Sequence, residues 1–362
     1  MDRNKVYVNR LEKVRSLMKD RGMEGYWISK RENQGYVTGF PSSDVFVLLT
    51  ETDNYLITDF RYIEAVKDVC EPLFTIVMTE NGFSLWDAVK KIGGNLKTLG
   101  VEESILTVSD LKSLKEALPG AEMIDASGLM EEIRMIKDEG ELESMGKAIA
   151  LADRCFSHML TVLRPGMTEK EGALEIEMFL KKNGAERLSF PTICVSGART
   201  SLPHGEPTDK IIEKGEFVTM DFGCVVDGYC SDMTRTVGIG HLDEEQKEIY
   251  ALVLKAQENC LRNLKAGLTW AECDRFARDI IEDAGYGQYF GHGTGHGVGL
   301  EIHEAPTMSP RGCGIFRENM TVTVEPGIYL PKKFGVRIED LAILRTSDII
   351  NKVKSTKELL IL

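Results

Sequence analysis

The chain has 362 residues, of which 43% are hydrophobic and 28% are charged, and its formal net charge is −13. This length is typical of two domains with a sizeable core, and the acidic balance argues against nucleic acid as the main partner and against a polybasic membrane anchor. No apolar run is long enough to cross a membrane, and residues 1–22 are charged and lack the apolar stretch of a signal peptide. Eight cysteines are scattered without a Cys-x-x-Cys pair, which favours buried free thiols, so we expect a soluble, cytoplasmic protein.

The predicted elements begin with a helix, in which apolar residues recur at helical spacing over 11–18 and which Gly22 ends. Short apolar runs separated by helical stretches follow at 25–28, 45–50, 55–58, 73–78 and 98–101. Strands alternating with helices predict an α/β domain with a mixed sheet over residues 1–125. The charged stretches 30–33 and 131–134 are interpreted as solvated faces.

The second part of the chain opens with a long helical pattern. Residues 128–163 predict one linking helix, which Arg-Pro-Gly at 164–166 ends, and Thr168 with Glu171 predicts a capping box at the start of the next helix. Further strands are expected at 192–196 and 217–221, as a pair up to Gly238 and at the end of the chain, with helices at about 243–266 and 270–284. Runs of strands and runs of helices, without strict alternation, predict an α+β fold for residues 126–362.

Two aspartates flank a predicted hairpin, whose turn is signalled by Asp227 and Gly228. Asp221 and Asp232 are equidistant from the point between Val226 and Asp227. A turn centred there would place the two aspartates directly opposite each other, and a turn centred one residue later would make them diagonal neighbours. Carboxylates placed so close repel each other unless a cation lies between them.

Two glutamates repeat this arrangement. Glu325 and Glu339 flank a loop centred near Lys332, so antiparallel pairing of the two strands would place the glutamates opposite each other. The two-residue period of a strand puts Arg337 on the same face as Glu339.

A glycine-rich segment with two histidines, His292 and His296, lies between the acidic pairs. Its glycines allow the backbone to approach a buried site closely. The spacing is that of a helical zinc motif, but Gly-Thr-Gly between the histidines removes both the general base and the helix propensity, which excludes that motif. Four carboxylates with one neutral imidazole carry four negative charges, which two divalent cations would neutralise. Oxygen-rich ligation of this kind suits manganese, cobalt, iron or zinc, and paired metal ions would activate a shared water.

At these residues the chain resembles the pita-bread metallopeptidases, which include methionine aminopeptidase, aminopeptidase P and prolidase. The motifs that match the Xaa-Pro branch are Asp-Phe-Gly at 221–223, Ser-Asp-Met-Thr-Arg at 231–235, His-Gly-Thr-Gly-His at 292–296, Val-Glu-Pro-Gly-Ile-Tyr at 324–329 and Arg-Ile-Glu-Asp at 337–340. Gly-Tyr-Val-Thr-Gly-Phe at 35–40 and Thr-Asp-Phe-Arg-Tyr at 58–62 extend the resemblance to the first domain. It implies a creatinase-type α/β domain over 1–125, followed by a pita-bread catalytic domain, built from two related halves, over 126–362.

The resemblance also implies a role for each site residue. The metal ligands would be Asp221, Asp232, His296, Glu325 and Glu339. Glu325 would pass protons, His204 and His303 would bind substrate and intermediate, and Arg337 would support the site electrostatically. His292 would serve as a proton relay or pocket residue. Tyr329 would line the proline pocket, and Arg311 would bind the free carboxylate of a dipeptide.

The implied activity is hydrolysis of the peptide bond before proline by a hydroxide that bridges two divalent metal ions, with manganese or cobalt favoured. Xaa-Pro dipeptides are the preferred substrates, and release of the first residue from longer Xaa-Pro peptides, as in aminopeptidase P, is the alternative. A non-catalytic pita-bread binding module is a more distant alternative, since such proteins usually have substituted ligands and this chain has none. Creatinase, which lacks these ligands, is disfavoured for the same reason. We further expect short proline-containing peptides as partners and a homodimeric assembly.

Overall fold

The computed structural model describes the backbone from residue 3 and the side chains from residue 4 up to residue 362. The chain divides into two compact units, the first ending at Ile133 and the second running from Arg134 to Leu362. None of the helices within the described residues combines the length and the apolarity that crossing a membrane requires. The cysteines are all free and all are buried except Cys313, so the prediction of buried thiols is wrong for that residue only.

The first unit is built around one mixed sheet of six strands, in the order β4-β3-β2-β1-β5-β6. Its elements are α1 (Arg3–Asp20), β1 (Gly25–Ile28), α2 (Arg31–Thr38), β2 (Phe46–Thr50), β3 (Asn54–Thr58), α3 (Ile63–Cys70), β4 (Thr75–Met78), α4 (Leu85–Gly93), β5 (Thr98–Val101), α5 (Val108–Ala117), β6 (Glu122–Asp125) and α6 (Leu129–Arg134). β1, β2 and β3 pair antiparallel, whereas β3–β4, β1–β5 and β5–β6 pair parallel. This confirms the predicted α/β domain with a mixed sheet.

Apolar side chains on one face of this sheet pack against α4 and α5. Trp27, Leu48 and Val89 are among the buried residues of this core. The expected solvated face at 30–33 is wrong for Asn33, which is fully buried and donates a hydrogen bond of 2.6 Å to Glu102. A polar side chain next to a buried carboxylate is drawn into the interior because that carboxylate needs donors.

The second unit consists of helix pairs and small antiparallel sheets, which confirms the predicted α+β fold. Its helices are α7 (Glu139–Val162), α8 (Glu169–Lys182), α9 (Glu244–Asn263) and α10 (Trp270–Asp283), with short 3-10 helices at Gly197–Ser201 and Gly287–Tyr289. Its strands are β7 (Arg187–Leu188), β8 (Ile193–Ser196), β9 (Phe217–Phe222), β10 (Cys224–Val226), β11 (Tyr229–Cys230), β12 (Met233–Gly238), β13 (Gly295–Gly297), β14 (Glu304–Met308), β15 (Thr321–Val324), β16 (Gly327–Leu330), β17 (Phe334–Arg337), β18 (Asp340–Leu344) and β19 (Ile349–Asn351).

The single linking helix expected over 128–163 is in fact two helices, since α6 ends at Arg134 and α7 begins at Glu139. The break has a local cause. Asp138 accepts a hydrogen bond from the backbone N–H of Glu141, and the Glu141 carboxylate accepts one from the N–H of Asp138, which is a capping box that starts a new helix. The capping box predicted from Thr168 and Glu171 is confirmed at the start of α8.

Two hydrophobic cores fill the second unit. One joins α7 and α8 to β9 and β12, with Met159, Ile176 and Met220 among its buried residues. The other joins α9 and α10 to β15, β17 and β18. Each core therefore covers one face of a set of strands with a helix pair, and the strands present the side chains of the site.

Candidate metal centre

The acidic and histidine residues singled out above lie around one cavity of about 940 Å³ in the second unit. Its lining includes every predicted site residue except Tyr329, namely His204, Asp221, Asp232, His292, His296, His303, Arg311, Glu325, Arg337 and Glu339. Three of these residues lie in strands and the others in adjoining segments and loops, and the fold brings them together from positions up to 135 residues apart in the chain.

The β9–β12 ribbon positions the two aspartates. Asp221 pairs with Thr234, so Asp221 and Asp232 are diagonal neighbours. Direct opposition was wrong, and the alternative with the turn one residue later is confirmed. The reason is a two-residue turn in which Asp227 and Gly228 both have positive φ, 50° and 80°, the geometry that matches the twist of a hairpin.

The two glutamates face each other, as predicted. Val324 pairs with Asp340 in the β15–β18 ladder and Gly327 pairs with Arg337 in the β16–β17 ladder, and this common register places Glu325 opposite Glu339. The connecting loop is centred on Lys332, whose φ of 63° marks the turn. Like charges placed directly opposite each other oppose strand pairing, so this arrangement requires compensation.

His296 enters the site from β13. A Cβ atom on the neighbouring Gly295 would lie 1.8 Å from the carbonyl oxygen of Thr323, so only glycine allows this strand to approach β15. The Nδ1 atom of His296 is 3.1 Å from the carbonyl oxygen of Gly297 and carries the proton of that hydrogen bond. Its Nε2 lone pair therefore faces the acids, 3.5 Å from Asp232 Oδ2 and 3.4 Å from Glu325 Oε1.

The positively charged protein groups near this site do not neutralise all of its carboxylates. Burial, followed by repulsion from neighbouring carboxylates, raises the pKa of Asp232 and of Glu339 well above their usual ranges. Burial also raises the pKa of Glu325. Asp221 Oδ2 accepts a hydrogen bond of 2.6 Å from Arg337 Nη2, whereas its buried Oδ1 has no hydrogen-bond partner.

This donor set fits divalent cations. Asp232, His296 and Glu339 each offer a ligand atom, and these atoms lie within 4.8 Å of one another. Oxygen donors with one imidazole nitrogen suit divalent metal ions, and their positive charge would relieve the repulsion among the buried carboxylates. The orphaned oxygen of Asp221 points to the same need for a cation.

Two histidines lie next to the acids with exposed rings. The ring centroid of His303 is 4.4 Å from that of His296. Burial, then the nearby rings of His296 and His204, lower the pKa of His303, so its imidazole is neutral at neutral pH. His204 lies on the loop after the 3-10 helix Gly197–Ser201 and also lines the cavity.

Tyr329 does not form part of the cavity wall, in contrast to the expected proline pocket. Its hydroxyl lies 2.8 Å from His292 Nε2 and accepts a hydrogen bond of 2.9 Å from Arg337 Nη1. Burial raises the pKa of Tyr329 to about 12, so the hydroxyl stays protonated and donates to His292. The physical reason for its position is that a buried phenol needs hydrogen-bond partners, and it finds them behind the wall.

Two threonines that hold the carboxylates were not predicted from the sequence. Thr234 Oγ1 donates a hydrogen bond of 2.7 Å to Glu339 Oε2, and Thr323 Oγ1 donates one of 3.2 Å to Glu325 Oε1. Both threonines lie two residues from a ligand candidate in the same strand segment, which places them on the same face. The two-residue spacing from a ligand candidate could therefore have identified both threonines. No sequence pattern predicts the apolar wall formed by Phe190, Ile193 and Ile302, since these residues come from unrelated segments.

Both units of the chain match known protein families. The model of metallopeptidase family M24 matches residues 143–346, and that of the creatinase/prolidase N-terminal domain matches residues 10–136. The uncharacterized peptidase YqhT of Bacillus subtilis is 41% identical over 98% of this chain and all of its own length. Among solved structures, Xaa-Pro dipeptidase from Bacillus anthracis is 42% identical, with a TM-score of 0.94 over 98% of this chain and 100% of that one. X-Pro aminopeptidase from Thermotoga maritima is 37% identical, with a TM-score of 0.89 over 94% and 98% of the two chains.

Proposed function

Because the chain belongs to metallopeptidase family M24, we propose that it hydrolyses the peptide bond before proline, and that Xaa-Pro dipeptides are its preferred substrates. The observation that carries this proposal is the convergence, in one cavity, of a largely buried carboxylate cluster, two exposed imidazoles and two arginines, of which Arg311 is exposed. The relatives named Xaa-Pro dipeptidase from Pyrococcus and Bacillus support the choice of substrate.

We propose that two divalent metal ions are held by Asp221, Asp232, His296, Glu325 and Glu339. The oxygen-rich donor set favours manganese or cobalt, and iron and zinc also suit it. When bound, such a pair supplies an activated water and polarises a carbonyl oxygen. The pairing of Arg337 with Asp221 fixes that carboxylate and leaves its second oxygen free for a ligand bond.

The protein's own residues provide binding and proton transfer. Glu325 is largely buried, which raises its pKa, and it lines the cavity, so it can take up a proton from water and return it to the leaving nitrogen. His303 is neutral and exposed to the cavity, so its N–H can donate to an oxygen that gains negative charge. His204 lines the same cavity and is placed to bind substrate.

His292 and Tyr329 support the site from behind. His292 Nδ1 lies 2.8 Å from the carbonyl oxygen of Gly293, which fixes its tautomer and lets Nε2 accept from Tyr329. The hydrogen bonds then continue from Tyr329 through Arg337 to Asp221. We propose that this series of hydrogen bonds holds Arg337 and His292 in place during turnover.

Arg311 decides the length of the substrate in this proposal. It is an exposed residue of the cavity lining, and a guanidinium there can bind the free carboxylate of a dipeptide. A longer peptide has no carboxylate at that position. The similarity to X-Pro aminopeptidase keeps release of the first residue from longer peptides as the second candidate function.

The test compares an Xaa-Pro dipeptide with an Xaa-Pro-Xaa tripeptide on protein loaded with manganese. We expect higher kcat/KM for the dipeptide, and an Arg311→Ala variant with its dipeptide KM raised about tenfold, since charge-assisted hydrogen bonds contribute on the order of 1.5–3 kcal/mol. Arg317→Ala, on the same loop but outside the cavity lining, is the matched control. Faster tripeptide cleavage would favour the aminopeptidase, and equal cleavage of peptides without proline would discard both. Peptide binding without any turnover in the metal-loaded protein would favour the binding module.

We further propose that the protein acts in the cytoplasm as a homodimer on short proline-containing peptides. The eight free cysteines support a reducing compartment. Light scattering coupled to size-exclusion chromatography tests the assembly, with a mass equal to one chain as the contrary result.

A further inference from the structure

A buried carboxylate outside the metal centre closes the loop that carries His204. Glu169 is the first residue of α8, and its side chain is 0% exposed. It accepts hydrogen bonds from both ends of the segment 196–208, at 2.8 Å from the N–H of Ser196 and 3.0 Å from the N–H of Thr208. The hydroxyls of the same two residues donate to it at 3.2 and 2.8 Å.

Arg199 completes this arrangement from inside the loop. Its Nε lies 3.2 and 2.9 Å from the two carboxylate oxygens of Glu169, and its Nη2 donates a hydrogen bond of 2.5 Å to the carbonyl oxygen of Glu206. A fully buried carboxylate is tolerated only when it is paired and its lone pairs are satisfied. Here both conditions are met by groups of this one loop.

The loop held in this way forms part of the cavity wall. Pro203, His204 and Glu206 are among its lining residues. On its other side, Arg337 Nη1 donates a hydrogen bond of 3.1 Å to the carbonyl oxygen of Pro203, and Thr200 Oγ1 accepts one of 2.8 Å from the N–H of Gly335. Within the described residues, the His204 ring has no hydrogen bond to a protein group, so its position depends on the backbone of this loop.

We propose that Glu169 is a positioning residue, which fixes the His204 loop against α8 and β17 so that the His204 ring faces the substrate. Its effect on turnover rests on the function proposed above, whereas its effect on the loop does not. A glutamine at this position offers one acceptor oxygen and turns an N–H₂ group toward other donors. Glu169→Gln therefore leaves Arg199 and one end of the segment unsatisfied, which loosens the loop.

Hydrogen–deuterium exchange read by mass spectrometry tests the loop directly. In Glu169→Gln we expect exchange in peptides covering 197–208 to rise at least about tenfold, while peptides covering the glycine-rich segment 290–297 stay unchanged. Asp153→Asn is the matched control. The Asp153 carboxylate also accepts hydrogen bonds from loop N–H groups, those of Lys354 and Ser355, but it does not line the cavity. The Asp153→Asn variant should raise hydrogen–deuterium exchange only near residues 354–355, and it should leave Xaa-Pro cleavage unchanged.

A double-mutant cycle tests the link to His204. Glu169→Gln should lower kcat/KM about tenfold to a hundredfold, the range expected when a substrate-binding group is displaced. In a His204→Ala background, Glu169→Gln should lower kcat/KM less than about threefold. If Glu169 acts through His204, the Glu169→Gln and His204→Ala single variants should each change kcat in the same direction as the other, and likewise KM. Thr208→Val, a milder change at one end of the segment, should give a smaller loss of the same kind if Glu169→Gln does not fold.

Unchanged exchange at 197–208 in Glu169→Gln would overturn the proposal, and so would a loss in kcat/KM that is fully additive with His204→Ala. If the wild-type protein cleaves no Xaa-Pro peptide, the function proposed above fails, and the exchange experiment alone then decides whether Glu169 holds the loop.

Discussion

At the scale of single residues, the acids of the site differ in what compensates their charge. Arg337 pairs with Asp221, whereas burial and mutual repulsion raise the pKa values of Asp232 and Glu339. The sequence pattern was sufficient to single out these acids, because strand periodicity and loop centres constrain neighbours on a strand pair. It could not place Tyr329 behind the wall, because the partners of a buried phenol come from distant segments.

Glu339→Gln should abolish Xaa-Pro cleavage through loss of metal and not through unfolding. The raised pKa of Glu339 means that its charged form opposes folding of the metal-free chain at neutral pH. The amide should therefore stabilise the metal-free protein, although it removes the stabilisation that metal gives. Metal per chain and thermal melting with and without manganese measure both effects, with the exposed Glu318→Gln as control. If Glu339→Gln turns over substrate with a full complement of metal, the assignment of Glu339 as a ligand is contradicted. The same outcome in Asp232→Asn would contradict the assignment of Asp232.

His303→Ala should retain both metal ions and lower kcat by about a hundredfold, the usual cost of removing a general acid or a donor to a developing oxyanion. His158→Ala is the matched control, since His158 pairs with Glu175 and does not line the cavity. Metal content and kcat are measured for both variants. A loss of metal in His303→Ala would make His303 a ligand instead.

At the scale of elements, the glycine-rich segment is held by α10. Asp274 is 0% exposed and accepts hydrogen bonds from Thr294 N–H at 3.0 Å and Thr294 Oγ1 at 2.8 Å. It also pairs with Arg278, which donates to the carbonyl oxygens of Phe290 and His292. Sequence patterns predicted the turns and strand registers, because these depend on neighbours in the chain. They did not predict this ion pair or the break before α7, because an acid in a helical pattern looks like a solvated residue.

Asp274→Asn should destabilise the protein by about 3 kcal/mol, since it leaves Arg278 without its buried counterion. It should also lower kcat/KM, because the backbone of His292 loses its support. Asp279→Asn is the control on the same helix, where an exposed pair with Arg275 should contribute less than about 0.5 kcal/mol. Urea denaturation and peptide cleavage measure the two effects. Equal stability of the two variants would show that the buried pair does not hold the segment.

At the scale of the whole molecule, the prediction from sequence was right about fold class and family. The ordered motifs lie at strand ends and tight turns, where few residue types are tolerated, and they identify the family even where individual contacts are unknown. The expected solvated face at 131–134 was wrong for Arg134, which is 2% exposed and pairs with Glu301 and Glu304, whereas Glu132 is exposed. Charge in a sequence does not reveal burial when the counterions lie about 170 residues away.

Stability toward acid should depend on this buried cluster. Burial alone would raise the pKa of Glu304, but the charges of Lys137 and Arg134 outweigh it and lower that pKa below its usual value of 4.5. A depressed carboxyl pKa stabilises the fold above the unfolded-state value and loses that contribution as the pH falls through the folded-state value. Wild type should therefore exceed Glu304→Gln in stability at pH 7, and the difference should shrink below about pH 4.5. Urea denaturation midpoints across this range test it, and a constant difference would contradict it.

The buried carboxylates also have a consequence for the lifetime of the protein in a cell. Without bound cations, repulsion among Asp232, Glu325 and Glu339 favours open forms of the second unit, and proteases cleave open forms. Copies that fail to acquire metal should therefore be degraded faster than loaded copies. The abundance of the protein would then follow the metal supply of the cell without any change in its synthesis.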